Sequence, residues 1–526
     1  MRKSLIVLGA LALACGDRPD AWSTTFQWQA STSVGLTRSV AMLDSSLNQV
    51  MLLSSPEPFG LQADFVPVGE RAVTVKASPD RERLYVLSNG VQPRRNLSDE
   101  LPRLTVIEQS PTPHVAKTYE LEDPLAGLEL DPEGEWAVIY DANGVVQNPN
   151  ELILIDLAHP DEPPIKKTIR SFGSSPQRFT FTSELNVPRG PRRLLVVQTE
   201  QDVALIDLAE VHDPSVTEIT VQLPRTASNA PGEPAQIAFH DGDPELDDDA
   251  ELAVRLANDS SVLLLRLGES ATGRAFGIES NSVELGGVPS TIDFVRTDSG
   301  VRLAALVPTQ QTAVLVDLET TNVTPIDLPH PFNGMARVTD SVEAAPDASD
   351  VALLYGNASR SVSFWALGKT SGTPYRSIDD VTIQVSVGRV LDVPGTDFAH
   401  YKILEAAAGG EFYVLDLNRR QSYPMLTDSR TFSLMPAPDG RRLWAFAPGG
   451  TDFASIGFSD LHPVSLSAER PISGVYDIGR GDTDERAAVV VHVADGNVSA
   501  TVLDALAPDG ARTRYYDALS LGGISR

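Results

Sequence analysis

Residues 194–208, LLVVQTEQDVALIDL, form an apolar run, a short polar turn and a second apolar run that closes on Asp-Leu. Relatives of this unit recur at intervals of about fifty residues down most of the chain. Cores of this kind are legible near 66–107, 130–157, 179–208, 237–267, 292–318, 351–367, 401–417, 432–458 and 488–506. A further strand pair, 39–43 and 49–53, precedes them without a clear partner. Each run is four to six residues of Val, Ile, Leu, Phe or Tyr bounded by Gly, Pro, Asn or Asp, which is the pattern of strands joined by tight turns. No stretch of useful length repeats its apolar residues with the helical period.

A half-exposed strand alternates apolar and polar residues. A strand covered on both faces reads as a continuous apolar run, as these do. A repeat of this length with several strands per unit cannot bury its faces alone and must stack on its neighbours. The chain is therefore expected to be all-β: a β-propeller of four-stranded antiparallel blades, seven to nine in number. Eight is favoured, because seven and eight are common closures; one core is then misread or lies outside the ring. Pairing of the N-terminal strands with the last blade would close the ring, since an open ring leaves bare edges.

Three local patterns sharpen this. Ser78-Pro79-Asp80 and Ala437-Pro438-Asp439-Gly440 each precede a strand, with Asp131-Pro132-Glu133-Gly134 as a variant. Proline fixes φ and glycine accepts a positive φ, so each should be a hairpin turn. Strands end in Asp-Leu at Asp156, Asp207, Asp317 and Asp416, and a Val-Gly or Gly-Gly pair occurs at 68–69, 286–287 and 387–388. Together these resemble the repeats of bacterial YVTN, TolB-type and WD40-like propellers over about residues 65–506. The resemblance implies architecture and is silent on activity, because the fold hosts many unrelated functions.

The N-terminus, MRKSLIVLGALALAC, has a basic start at Arg2 and Lys3, an apolar stretch and small residues before Cys15, the sole cysteine of the chain. This is a secretory signal too short to span a bilayer. Its Ala12-Leu13-Ala14-Cys15 ending resembles the bacterial lipobox. That resemblance implies cleavage before Cys15, which then carries palmitate-type acyl chains. Gly16 and Asp17 favour the outer membrane over the inner. The expected organisation is a lipoprotein signal peptide at 1–14, a lipid-anchored tether at 15–35, and a single propeller domain at 36–526. A lone cysteine excludes an intrachain disulfide. A formal charge of −29 argues against nucleic acid, because proteins meet phosphate through Lys and Arg.

Candidate chemistry is sparse. In HDGDPELDDDAE, residues 240–251, Asp241, Asp243, Asp247 and Asp249 place carboxylates at spacings that can surround a hard cation such as calcium. With the following ELAVRLANDSS the segment resembles an FG-GAP or VCBS calcium blade, although Pro244 interrupts the turn and no other unit repeats it. A solvated acidic loop without calcium is favoured. Arg480-Gly481-Asp482 spells an adhesive tripeptide in a polar loop. The histidines His114, His159, His212, His240, His330, His400, His462 and His492 are scattered, and no HExxH, GxSxG, phosphate-loop or dinucleotide pattern occurs. No catalytic or cofactor-binding residue is assigned. The reading is a cell-envelope lipoprotein acting as a non-catalytic binding or scaffold module. Its partners would be the membrane, through its lipid, and an envelope protein or glycan. Two alternatives stand beside it. One is an envelope lyase or hydrolase with its site at the channel mouth. The other is an outer-membrane assembly factor, by architectural analogy.

Overall fold

The computed structural model describes residues 33–517 and 519, apart from 143, 145–147, 172–174, 214–215, 226–231, 243–248, 339–348, 369–376, 428–432, 481–484, 495–496. The segments expected to be a signal peptide and most of a tether, Cys15 included, lie outside these residues. The described chain is all-β, with strands gathered into ten four-stranded antiparallel sheets, each a consecutive meander. These are the blades of a β-propeller: blade 1 (33–67), blade 2 (72–120), blade 3 (127–168), blade 4 (178–222), blade 5 (234–284), blade 6 (291–327), blade 7 (334–382), blade 8 (387–425), blade 9 (433–467) and blade 10 (474–516).

The expectation of seven to nine blades, eight favoured, is corrected to ten. All nine cores are real, and none is misread. The N-terminal strand pair is also not an orphan: Ser39–Asp44 and Gln49–Ser54 are the middle strands of a complete blade 1. Its first strand, Ser33–Gly35, is three residues long, too short to register as a periodic run. The chain falls into two compact units. One holds blades 1, 2 and 10; the other holds blades 3–9 except for 449–451, which join the first.

In the first unit, blade 1 does not add a strand to blade 10. Blade 10 is built wholly from C-terminal sequence, and among the described residues the two blades meet through side chains and one backbone bond, Gly479 N–H to Thr37 O at 2.7 Å. Tyr476 and Ser33 add a side-chain link at 2.6 Å. The expected strand pairing between chain ends is therefore replaced by blade-on-blade packing.

In the second unit, alternation explains the continuous apolar runs. In blade 4, Leu194 and Val196 pack with Leu252, Val254 and Leu265 of blade 5. Leu195 and Val197 point the other way, against Val138 and Leu154 of blade 3. Blade 6 repeats this: Leu303, Ala305 and Val307 face blade 5, while Ala304 and Leu306 face Leu354 and Trp365 of blade 7. Every inward position thus lacks water on either side, which is why the middle strands carry no polar period.

The turn motifs form as read. Gly134 N–H bonds to Asp131 O and Gly440 N–H to Ala437 O, both at 2.9 Å. Both glycines have positive φ, 77° and 67°. The third turn has the same bond, Arg81 N–H to Ser78 O, and places a non-glycine, Arg81, at φ 59°. The Asp-Leu strand ends are Asx turns. Asp416 Oδ1 accepts the backbone N–H of Asn418 at 3.0 Å and of Arg419 at 2.9 Å. Asp156, Asp207 and Asp317 cap their own turns in the same way. Among the described residues no helix is long and apolar enough to cross a membrane.

Candidate functional site in the second unit

In the middle of the second unit the first strand of a blade lies at a sheet edge and meets the first strand of the next, as blade 5 meets blade 6 and blade 6 meets blade 7, so its outer-pointing residues need not be apolar. In blades 5, 6 and 7 these strands are Pro234–His240, Thr291–Thr297 and Gly334–Val338. They line a cleft of about 370 Å³ with Ser183 at one side.

Polar side chains stitch this wall together from blade to blade. The Gln236 amide donates to Ile292 O at 2.7 Å and accepts from Ile292 N–H at 3.1 Å, so one side chain mimics a strand partner. The Ser183 hydroxyl donates to Asp241 Oδ1 at 2.6 Å. Arg337 Nε lies 3.2 Å from Asp293 Oδ2. Burial pushes the Asp293 carboxyl above the usual carboxylate range, and Arg337 opposes only part of that rise. The guanidinium is half-exposed, so one side of the pair faces the cleft. Phe239, Met335 and Ile237 supply apolar wall between the polar groups. The arrangement offers a carboxylate, a guanidinium and a hydroxyl on a rigid surface, suited to holding a polar ligand of about sugar size.

Of the four acidic residues expected to hold calcium, Asp243 and Asp247 lie outside the described residues. Asp241 lines the cleft and accepts from Ser183, and its backbone oxygen accepts from Asn186. Asp249 stands two residues before the next strand, Glu251–Leu256. Arg480 of the adhesive tripeptide is buried, near Glu485 and over the Phe59 ring, while Gly481 and Asp482 lie outside the described residues. Among the histidines, His492 is buried, His240 sits beside Phe294, and His159 and His212 converge from blades 3 and 4 on Asp156. Sequence reading did not single out Gln236, Asp293 or Arg337. Each is an ordinary polar residue on an inner strand, and only the stacking of blades brings them to one cleft.

No family model matches the chain, and no curated protein matches it. Solved structures do. A dihydro-heme d1 dehydrogenase NirN in complex with DHE is 14% identical, with a TM-score of 0.40 over 75% of each chain. A catalytically inactive virginiamycin B lyase from Staphylococcus aureus with quinupristin is 14% identical, with a TM-score of 0.34 over 61% of this chain and 90% of that one. The Cps50 (Swd1) β-propeller domain of Myceliophteria thermophila is 13% identical, with a TM-score of 0.35 over 63% of this chain and 92% of that one. The likeness goes no further than the β-propeller.

Proposed function

We propose that the protein is a lipid-anchored component of the bacterial cell envelope whose propeller binds rather than catalyses, with the cleft of blades 5–7 receiving a glycan. The observation that carries this reading is the Asp293–Arg337 pair, set 3.2 Å apart beside the Ser183–Asp241 pair along one cleft wall. Sugars are held by such fixed carboxylates, guanidinium groups and amides, with apolar wall between them. The lipobox-like ending at Cys15 supports lipid anchoring, and Gly16 and Asp17 after it favour the outer membrane, which would hold the propeller among envelope glycans.

The test is retention of cell-wall and outer-membrane glycan fragments by the purified protein and by Arg337→Ala. Retention by the wild type that falls at least tenfold in the variant supports the reading. Retention of an envelope protein instead, unaffected by the variant, would move it to a scaffold. Cys15→Ser should move the protein out of the membrane fraction, and continued membrane association counts against the anchor.

The Asp293 carboxyl favours a second reading, an envelope lyase or hydrolase, because a cleft carboxyl that burial shifts upward towards neutral pH is better matched to proton exchange with a bound substrate than an ordinary one. Turnover of the retained glycan that Asp293→Asn abolishes, with retention preserved, would establish it.

A further inference from the structure

Blades 3 and 4 bring four metal-ligating side chains together away from the cleft. The third strand of blade 3, Glu151–Asp156, ends in Asp156, and the turn after it carries His159 and Glu162. The turn after the third strand of blade 4, Asp202–Asp207, carries His212. Asp156 Oδ1 accepts the backbone N–H groups of Ala158 and His159, each at 3.0 Å. That fixes the carboxylate and aims Oδ2 at two imidazoles: His159 Nδ1 at 3.0 Å and His212 Nε2 at 3.8 Å. The other nitrogen of His212, Nδ1, lies 3.3 Å from Glu162 Oε2. Ligand atoms of Asp156, Glu162 and His212 all fall within 4.8 Å of one another.

The corresponding turns show what is unusual here. In three other blades the aspartate that caps this turn meets an arginine: Asp207 meets Arg192 at 3.3 Å, Asp317 meets Arg302 at 3.2 Å and Asp416 meets Arg419 at 3.7 Å. His159 occupies the place that Arg419 takes in blade 8, three residues after the aspartate. In blade 3 the fixed cation is replaced by two imidazoles and a second carboxylate.

We propose that Asp156, Glu162, His159 and His212 form a binding site for a divalent transition metal of the zinc class. Imidazole and carboxylate together suit zinc, cobalt or nickel, whereas calcium and magnesium take oxygen ligands. Bonds of about 2.0–2.1 Å to a tetrahedral ion place ligand atoms roughly 3.3–3.4 Å apart, and the distances from Asp156 Oδ2 to His159 Nδ1 and His212 Nε2, 3.0 and 3.8 Å, bracket that spacing. A neutral imidazole has one donor nitrogen, yet both nitrogens of His212 face a carboxylate. A cation on one nitrogen leaves the other to donate to its carboxylate, an arrangement common behind metal-ligating histidines. Asp156 is nearly buried and stays put, while His159, Glu162 and His212 are exposed enough to rotate onto an ion.

The test is calorimetric titration of the intact protein at neutral pH with zinc, calcium and magnesium chlorides. His212→Ala, Glu162→Gln and Asp156→Asn are titrated alongside; asparagine keeps the turn cap, and circular dichroism checks each fold. The expected result is stoichiometric zinc binding, insensitive to calcium and magnesium, that weakens at least tenfold in His212→Ala and Asp156→Asn. The cobalt complex should show the visible absorption of a tetrahedral ion in the wild type and lose it in His212→Ala. Zinc affinity equal in wild type and His212→Ala, or no stoichiometric binding, overturns the proposal and leaves a pair of histidine–carboxylate contacts.

Discussion

The hydroxyl of Tyr476, on the first strand of blade 10, donates to Ser33 O at 3.1 Å and lies 2.6 Å from Ser33 Oγ, across 443 residues of sequence. Tyr476 is buried, and its ring lies where a Cβ on Gly35 would come within 2.9 Å of it. Part of the seam between chain ends is thus an aromatic ring fitted over a glycine. Tyr476→Phe should cost about 1 kcal/mol, the net worth of a hydrogen bond. Tyr476→Ala should cost about 3–5 kcal/mol through the cavity it leaves. Urea unfolding checks both. Equal costs would mean that the hydroxyl carries the seam and the ring does not.

Two glycines separate backbone conformation from space. Gly409 has φ 72° and open space where a Cβ would go. Gly440 has φ 67°, and a Cβ there would meet Pro394 O well inside contact distance. Gly409→Ala should therefore cost about 1 kcal/mol, the left-handed backbone penalty alone. Gly440→Ala adds roughly 1–3 kcal/mol of overpacking. Equal thermal midpoints for the two variants would show that the Pro394 segment yields freely.

Much of this fold was legible, because its signals are local. Runs such as 194–197 and 303–307 are apolar throughout since both faces are covered, and the turns around Gly134 and Gly440 announce themselves by Pro and Gly. The blade number was misjudged because it was weighed against closures seen in other propellers, and because the strand 33–35 is too short to show a period. The cleft was not legible. Gln236, Asp293 and Arg337 are 57 and 44 residues apart in sequence and meet only because successive inner strands stack. His159 and His212 met the same obstacle, with Asp156 read only as a strand ending.

His492 gives a pH signature for blade 10. It is fully buried, with Nδ1–H donating to Pro471 O at 3.2 Å and Nε2 2.9 Å from Thr501 Oγ1. Burial holds its pKa below the ordinary histidine value of 6.5. The folded state therefore favours the neutral ring. Its contribution is present above pH 6.5 and is lost as pH falls through the lower folded value. The thermal midpoint should drop on acidification from pH 7.5 towards pH 5 more steeply in the wild type than in His492→Gln, by conventional reckoning of linkage. Parallel curves would show that the ring is not protonated on unfolding in that window.

The Asp293–Arg337 pair should reveal whether the cleft is built at the expense of stability. Burial raises the Asp293 carboxyl above its usual value of 3.8, so the folded state favours the neutral acid. That stabilisation is fully present below pH 3.8 and is lost as pH rises through the folded value, leaving a charged group that burial disfavours at neutral pH. Asp293→Asn keeps the shape and removes the charge, and Arg337 is half-exposed and can be solvated alone. The variant should therefore melt higher than the wild type at pH 7, with the gap closing as pH falls towards about 4. Arg337→Ala should do the reverse, melting lower at pH 7 because Asp293 loses its opposing charge. If Asp293→Asn melts lower at pH 7, the ion pair contributes more than the burial of its carboxylate costs. The cleft would then be a stabilising seam between blades 6 and 7, and its polar wall would not reflect selection for a ligand.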